Sequence, residues 1–152
     1  MSNIISRPFM PADRPACLSI FDSNVPFFFA SEEREEFNDH LKNYNVISAP
    51  YIILVRDYAV VACGGLTIDI TRQRASLSWG MVDGASHGQG LGSILTQARL
   101  TLARSIPGLA EIKLSTSQHT QGFYEGFGFA CSTITPNGFR TGLDRWDMTL
   151  KL

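Results

Sequence analysis

A chain of 152 residues with 44% apolar content and a formal net charge of −1 has the size of one domain and the side chains for one buried core, so two full domains are not expected. The near-neutral balance gives no basis for electrostatic capture of nucleic acid or of an anionic membrane. Three widely spaced cysteines, Cys17, Cys63 and Cys131, form no CxxC and pair with no histidine, which argues against a disulfide framework or a metal centre and for a reducing interior.

The first residues, Met1 to Pro8, hold no continuous apolar segment of the secretory kind, and no run of about eighteen apolar residues occurs, so a cytoplasmic protein is expected. A short strand is predicted at 3–7. Pro11-Ala12-Asp13 then opens a helix in which Ala16, Cys17, Ile20 and Phe21 recur at helical spacing. Pro26 interrupts it and Phe27-Phe28-Phe29 follows. Ser31 is the expected N-cap of a second helix to Lys42, with Glu32 and Glu33 in its first turn and Phe37 and Leu41 on one face.

From Tyr51 the pattern changes to strands at 51–56, 59–70 and 75–82, with Asp57-Tyr58 as a hairpin turn. Residues 93–104 return to a helix, with Ile94, Leu95, Ala98 and Leu102 inward and Arg99 and Arg104 outward, ending near Pro107-Gly108. A strand at 111–116, a helix at 121–127 and strands at 130–135 and 146–152 complete the chain. The last two are joined by a loop containing Pro136, Asn137 and Gly138, and Trp146, Met148, Leu150 and Leu152 alternate as in a half-buried strand. The order β-α-α-β-β-β-α-β-α-β-β describes one α+β domain around a mostly antiparallel sheet.

The segment with the clearest chemistry is Asp83-Gly84-Ala85-Ser86-His87-Gly88-Gln89-Gly90-Leu91-Gly92, between the strand ending at Val82 and the helix that begins at about Ser93. Glycines let the backbone adopt unusual φ/ψ values and admit another molecule closely. The free N–H groups of a helix start carry partial positive charge, so this turn suits a phosphate-bearing ligand. A flexible surface turn is the plainer alternative. A Walker A loop needs Gly-Lys-Ser/Thr, and this loop has no lysine. A dinucleotide site needs a third glycine at the right spacing and a βαβ unit with its acidic ribose ligand, both missing here.

His87-Gly88-Gln89-Gly90-Leu91-Gly92 resembles the Arg/Gln-x-x-Gly-x-Gly/Ala signature of the GNAT-type N-acetyltransferase superfamily, matching both glycine positions and departing at the first, where His87 is shorter. A second stretch supports the resemblance. The strand Ile112-Lys113-Leu114-Ser115-Thr116 precedes Gly122-Phe123-Tyr124-Glu125-Gly126-Phe127-Gly128-Phe129, similar to the family's strand followed by x-Phe/Leu-Tyr-x-x-x-Gly-Phe. Ser117 stands where the family commonly has Asn. The resemblance covers about 82–129 and, through strand order, loosely most of the chain. It implies a GNAT-like mixed, mostly antiparallel sheet of about six to seven strands flanked by about four helices.

The resemblance further implies acetyl-CoA as acyl donor, held by Met81 and Val82 along the pantetheine, by His87, Gly88, Gln89, Gly90, Leu91, Gly92 and Ser93 around the pyrophosphate, and by Ser117 and Phe123; no metal is implied. Tyr124 resembles the group that meets the departing thiol. A phenol is a weaker acid than a thiol, so full proton transfer is uphill and a hydrogen bond to the developing thiolate is the expected role. Glu32, Glu33, Asp69 and Asp83 are the carboxylates near the expected acceptor side, while the strand before the loop offers Ser76 and Ser78 where the family often carries an acid, so a base reached through water is expected.

The first two helices and the loop before the last strand usually shape the family's acceptor site, which would bring Phe28, Phe29 and Arg140 to an amine that also bears an apolar group or a carboxylate. Closing the core under the first helix is the other reading of the Phe run. Cys131 is expected to be a small buried apolar residue rather than a nucleophile, and His40 and His119 to lie on the surface. The expected partner is a small-molecule or peptide amine, with neither nucleic acid nor membrane, and a homodimer is compatible with all of this. The alternative to catalysis is a regulatory module that binds acyl-CoA without turnover.

Overall fold

In the computed structural model, which describes residues 3–152, a seven-stranded sheet runs in the order β1-β2-β3-β4-β5-β7-β6. The strands are β1 (Ile4–Pro8), β2 (Tyr51–Arg56), β3 (Ala59–Asp69), β4 (Arg74–Val82), β5 (Glu111–Thr116), β6 (Ala130–Arg140) and β7 (Leu143–Lys151). Four α-helices accompany them: α1 (Arg14–Ser23), α2 (Glu33–Lys42), α3 (Leu91–Arg104) and α4 (Gln121–Glu125). All neighbouring strands are antiparallel except β4 and β5. The expected element order, strand count and helix count are all present. No helix among the described residues is long and apolar enough to cross a membrane.

Two sides of the sheet are covered differently. Over one face, Cys17, Ile20 and Phe21 of α1 and Phe37 and Leu41 of α2 pack on Tyr51, Ile53, Cys63 and Met81. Rings of Phe21 and Phe29 stack at 5.0 Å and those of Phe37 and Trp79 lie 5.1 Å apart. Over the other, Leu91 and Leu95 of α3 pack on Ile52, Leu54 and Ala62, and Leu100 and Ala103 on Leu66, Ala75 and Ile112. The two-residue turn Asp57-Tyr58 has φ of 51° and 68°, the left-handed pair that matches a hairpin's twist.

The feature that shapes the centre of the molecule is a break between two strands. β4 and β5 pair only at Arg74–Ser76 with Glu111–Lys113. Just beyond, β4 carries a bulge against β3: Ser78 faces Gly65 and Met81 faces Cys63, so Trp79 and Gly80 together oppose Gly64, with Trp79 at φ 45°. A bulge bends its strand, while β5 stays paired with β7 along its length. The strands therefore part, leaving an opening through the sheet.

Several local expectations are corrected. The predicted loop around Asn137 is largely strand, because β6 continues to Arg140, which pairs with Leu143 across the turn Thr141-Gly142. α2 begins at Glu33, one residue later than Ser31 implies, with Glu32 as its N-cap and no side-chain cap bond among the described residues; the Glu33 carboxylate accepts the Ala30 N–H at 2.8 Å. α4 stops at Glu125. Cys131 is exposed on edge strand β6, not buried, and His40 is half-buried, packing on Tyr51 and Trp79.

At the start of α1, Asp13 makes two hydrogen bonds to the Arg7 guanidinium, at 2.7 and 2.8 Å, and accepts the Met10 N–H at 2.7 Å. These bonds, the Arg7 pair first, hold its carboxyl below the usual range despite burial. A folded-state value below the unfolded one contributes stability above the unfolded pKa, about 3.9, and loses it as pH falls through the folded value. Asp13→Asn is thus expected to cost about 2 kcal/mol in urea denaturation at pH 7. The gap from the parent protein should narrow as the pH is lowered below about 4.

Candidate active site

The glycine loop folds as a strand end, a short 3-10 turn at Gly84–Ser86 and the start of α3. Gly88 and Gly90 take φ of 77° and 80°, values a side chain would strain, and a Cβ at either would meet nothing within 4 Å. The space in front of the loop is therefore open. Gly90 caps α3 and its carbonyl receives the Ile94 N–H at 3.2 Å. The N–H groups of Leu91, Gly92 and Ser93 in the first turn lack intrahelical partners. Behind the loop, Arg56 at the end of β2 donates to Gln89 Oε1 and, at 3.0 Å, to Ser86 Oγ, adding a cation beside the helix start.

From this loop a cavity of about 440 Å³ runs inward along the end of β4 at Gly80, Met81 and Val82, beyond the part of the strand that pairs with β5. Its walls include Met81 and Val82 of β4, Leu91, Gly92, Leu95 and Arg99 of α3, Phe123 and Tyr124 of α4, and Phe28 and Phe29 from the α1–α2 connection. One end thus meets the α3–α4 side of the sheet and the other the α1–α2 side. Predicted residues Met81, Val82, His87, Gly88, Gly90, Leu91, Gly92, Phe123, Tyr124, Phe28 and Phe29 come together here. Gln89, Ser93, Ser117 and Arg140 do not line it. Ser117 instead accepts the N–H groups of Thr120 and Gln121 through its carbonyl at the start of α4, and Arg140 sits at the far end of the β6–β7 hairpin.

His87 lies across the loop rather than along it. Its Nε2 donates to the Val82 carbonyl at 2.9 Å, and its ring meets Phe28 edge-on at 5.3 Å. The same carbonyl accepts Asn24 Nδ2 at 2.9 Å, while Asn24 also donates to Ile20. Ser23 Oγ accepts the Gly84 N–H at 2.9 Å. The C-terminus of α1 is in this way stitched to the strand end that leads into the loop. Sequence patterns give no sign of such long-range side-chain to backbone bonds.

Arg99 is the main correction at the site. It is 4% exposed, although its charge predicts an outward residue, and its Nε has no hydrogen-bond partner among the described residues. It falls four residues after Leu95 and four before Ala103, both buried, so its place on the inner face is visible in the helical period. Tyr124 lines the same cavity as Arg99 and packs edge-on against Phe123 and Phe129. No Asp or Glu lines the cavity among the described residues, so the expected nearby carboxylates are not at its wall. Ser78 Oγ, beside the bulge, is buried without a hydrogen-bond partner among the described residues. No group of three or more metal-ligating side chains occurs among the described residues.

The sequence profile of the acetyltransferase (GNAT) domain matches residues 30–152. No curated protein matches the chain in sequence. Among solved structures, the chain is similar to the ribosomal-protein-S18-alanine N-acetyltransferase of Escherichia coli, at 22% identity and TM-score 0.78, over 99% of this chain and 94% of that one. It is likewise similar to yncA of Salmonella typhimurium with its cofactor acetyl-CoA, at 19% identity and TM-score 0.81, over 99% and 94% of the two chains. A variant of the spermidine N-acetyltransferase SpeG of Vibrio cholerae matches at 15% identity and TM-score 0.78, over 97% and 93%.

Proposed function

This chain belongs to the GNAT acetyltransferase family, and from that premise we propose that residues 1–152 act as one N-acetyltransferase domain, moving an acetyl group from acetyl-CoA to a primary amine of a small molecule, amino acid or peptide within a ternary complex. The observation that carries this reading is the cavity that joins the glycine loop, the end of β4 that does not pair with β5, and Tyr124. Acetyl-CoA supplies an activated thioester. The residues present fit it: open space before Gly88 and Gly90, free N–H groups at the α3 start and the Arg56 cation suit a pyrophosphate, and the unpaired parts of β4 and β5 suit an extended pantetheine arm.

Within that arrangement each residue has a physical task. The loop and the edge of β4 at Met81 and Val82 fix the donor, and Phe28 and Phe29 bound the path from the α1–α2 side along which an amine arrives. Holding both reactants in one channel removes the entropy of their encounter, which accounts for much of the acceleration. With no carboxylate at the wall, the amine's proton leaves through water toward solvent. The Tyr124 hydroxyl donates a hydrogen bond to the charge that develops on sulfur.

Phe28, 68% exposed, is expected to serve the acceptor and not the fold. Phe28→Ala should raise the acceptor KM about threefold to tenfold, the loss of one aromatic contact, with the donor KM and thermal midpoint unchanged. Steady-state kinetics against each substrate in turn decide this. An unchanged acceptor KM removes the α1–α2 connection from the acceptor path.

A further inference from the structure

The cavity wall holds an arginine that the proposed chemistry has not used. Leu91, Leu95, Arg99 and Ala103 follow at intervals of four along α3 and are all buried, at 1%, 2%, 4% and 0% exposure. Three are apolar, as a helix face against a sheet requires; the fourth carries a charge. The strands beneath make room for it. A Cβ at Gly80 would stand 2.6 Å from Arg99 Nη2 and 2.9 Å from Nη1, and one at Gly64 would stand 3.3 Å from Arg99 Cζ. Two glycines on neighbouring strands, one of them in the β4 bulge, thus form a cradle that any side chain would fill.

Nothing in this cradle neutralises the guanidinium. Of the nearby ionisable groups, Tyr124 of α4 lines the same cavity, Tyr51 of β2 and Cys63 of β3 pack toward α1 and α2 on the other side of the sheet, and β4 contributes the Gly80 backbone. No ion pair with a carboxylate forms there among the described residues. The Tyr51 hydroxyl is already committed to the Trp79 carbonyl at 2.7 Å, and burial keeps it protonated. Arginine remains charged in proteins. A buried, uncompensated cation weakens a fold that an apolar side chain would serve better, so a role in stability does not explain it.

We infer that Arg99 is a positioning residue of the transfer site: it holds the Tyr124 hydroxyl in place and balances the negative charge that reaches the departing sulfur, an assignment that rests on the role proposed above for Tyr124. In the reaction the amine nitrogen bonds to the acyl carbon and the carbon–sulfur bond breaks, its electron pair going to sulfur. The amine loses one proton to solvent and the sulfur gains one, so the products are an amide and a free thiol. The negative charge exists only between those events. A fixed cation stabilises it then and contributes little to binding the neutral thioester.

The test compares the full chain carrying Arg99→Met, Arg99→Lys, Tyr124→Phe, and Arg99→Met with Tyr124→Phe together. Arg99→Met is expected to lower kcat about 100-fold, leave the donor KM within about twofold, and keep or raise the thermal midpoint. Arg99→Lys should recover at least a third of the lost turnover on a logarithmic scale. Because the two residues act as a unit, the double variant should be little slower than Tyr124→Phe alone. If Tyr124→Phe is impaired while Arg99→Met keeps full turnover, the assignment of Arg99 fails and that of Tyr124 stands. A fall in thermal midpoint with no rescue by lysine also overturns it, leaving a packing role. If Tyr124→Phe itself keeps full turnover, both assignments fall.

Discussion

Tyr124→Phe is expected to lower kcat by about 100-fold with the donor Kd unchanged within about twofold. The reasoning is differential: a hydrogen bond to sulfur strengthens only as the carbon–sulfur bond breaks, so its loss falls on turnover and not on binding. Structure makes the variant a clean one. Tyr124 is half-buried at the cavity wall, and its ring packs edge-on with Phe123 at 5.1 Å and Phe129 at 5.9 Å. Phe keeps those contacts and removes one oxygen. Single-turnover acyl transfer and calorimetric titration of acetyl-CoA read the two quantities separately. Full turnover in the variant takes Tyr124 out of the reaction.

Gly92→Val should act on the other half of the cycle. Gly92 lies in the first turn of α3 and lines the cavity, and a Cβ there meets only Phe123 Cζ, at 3.9 Å. Its backbone is helical, so the substitution introduces no left-handed strain and gains slightly in helix propensity. The added isopropyl group stands where the helix's free N–H groups would receive phosphate. Losing one or two charge-assisted hydrogen bonds corresponds to about 3 kcal/mol, roughly a 100-fold rise in donor Kd. The thermal midpoint of the free protein should stay within about 2 °C. Unaltered donor affinity would place the phosphates elsewhere.

The parts of this molecule legible in its sequence are those encoded locally. The glycine loop is a strand end, left-handed turn positions and a helix start within ten residues, and each has a residue type that marks it. Phe123-Tyr124 is marked by the strand before it and the Gly128-Phe129 turn after it. What escaped is non-local. Arg99 is buried because Gly64 and Gly80, on two strands distant in sequence, leave space for it. Charge outweighed helical period in the expectation that it faced outward. Asn24 and Arg56 act by reaching across to Val82 and to the loop, contacts that no periodicity encodes.

The β4 bulge is a similar case. A strand is predicted over 75–82, and Gly80 after Trp79 hints at an irregularity, but the parting of β4 from β5 depends on pairing with β3 and β7. Arg140 was drawn to the acceptor site by reading Pro136-Asn137-Gly138 as a loop. In the fold those residues belong to the long β6 strand that carries Arg140 away from the cavity. The cation that lines the cavity is Arg99, on α3.

The most direct measurement incubates the purified chain with acetyl-CoA and, one at a time, polyamines, amino acids and short peptides with free N-termini, following free thiol and the mass of each amine. The account predicts thiol release that depends on the amine and matches, mole for mole, the appearance of an acetylated product. Saturable acetyl-CoA binding with no amine-dependent thiol release across all three classes would contradict it, and would make the cavity a sensor of acyl-CoA and not a site of transfer.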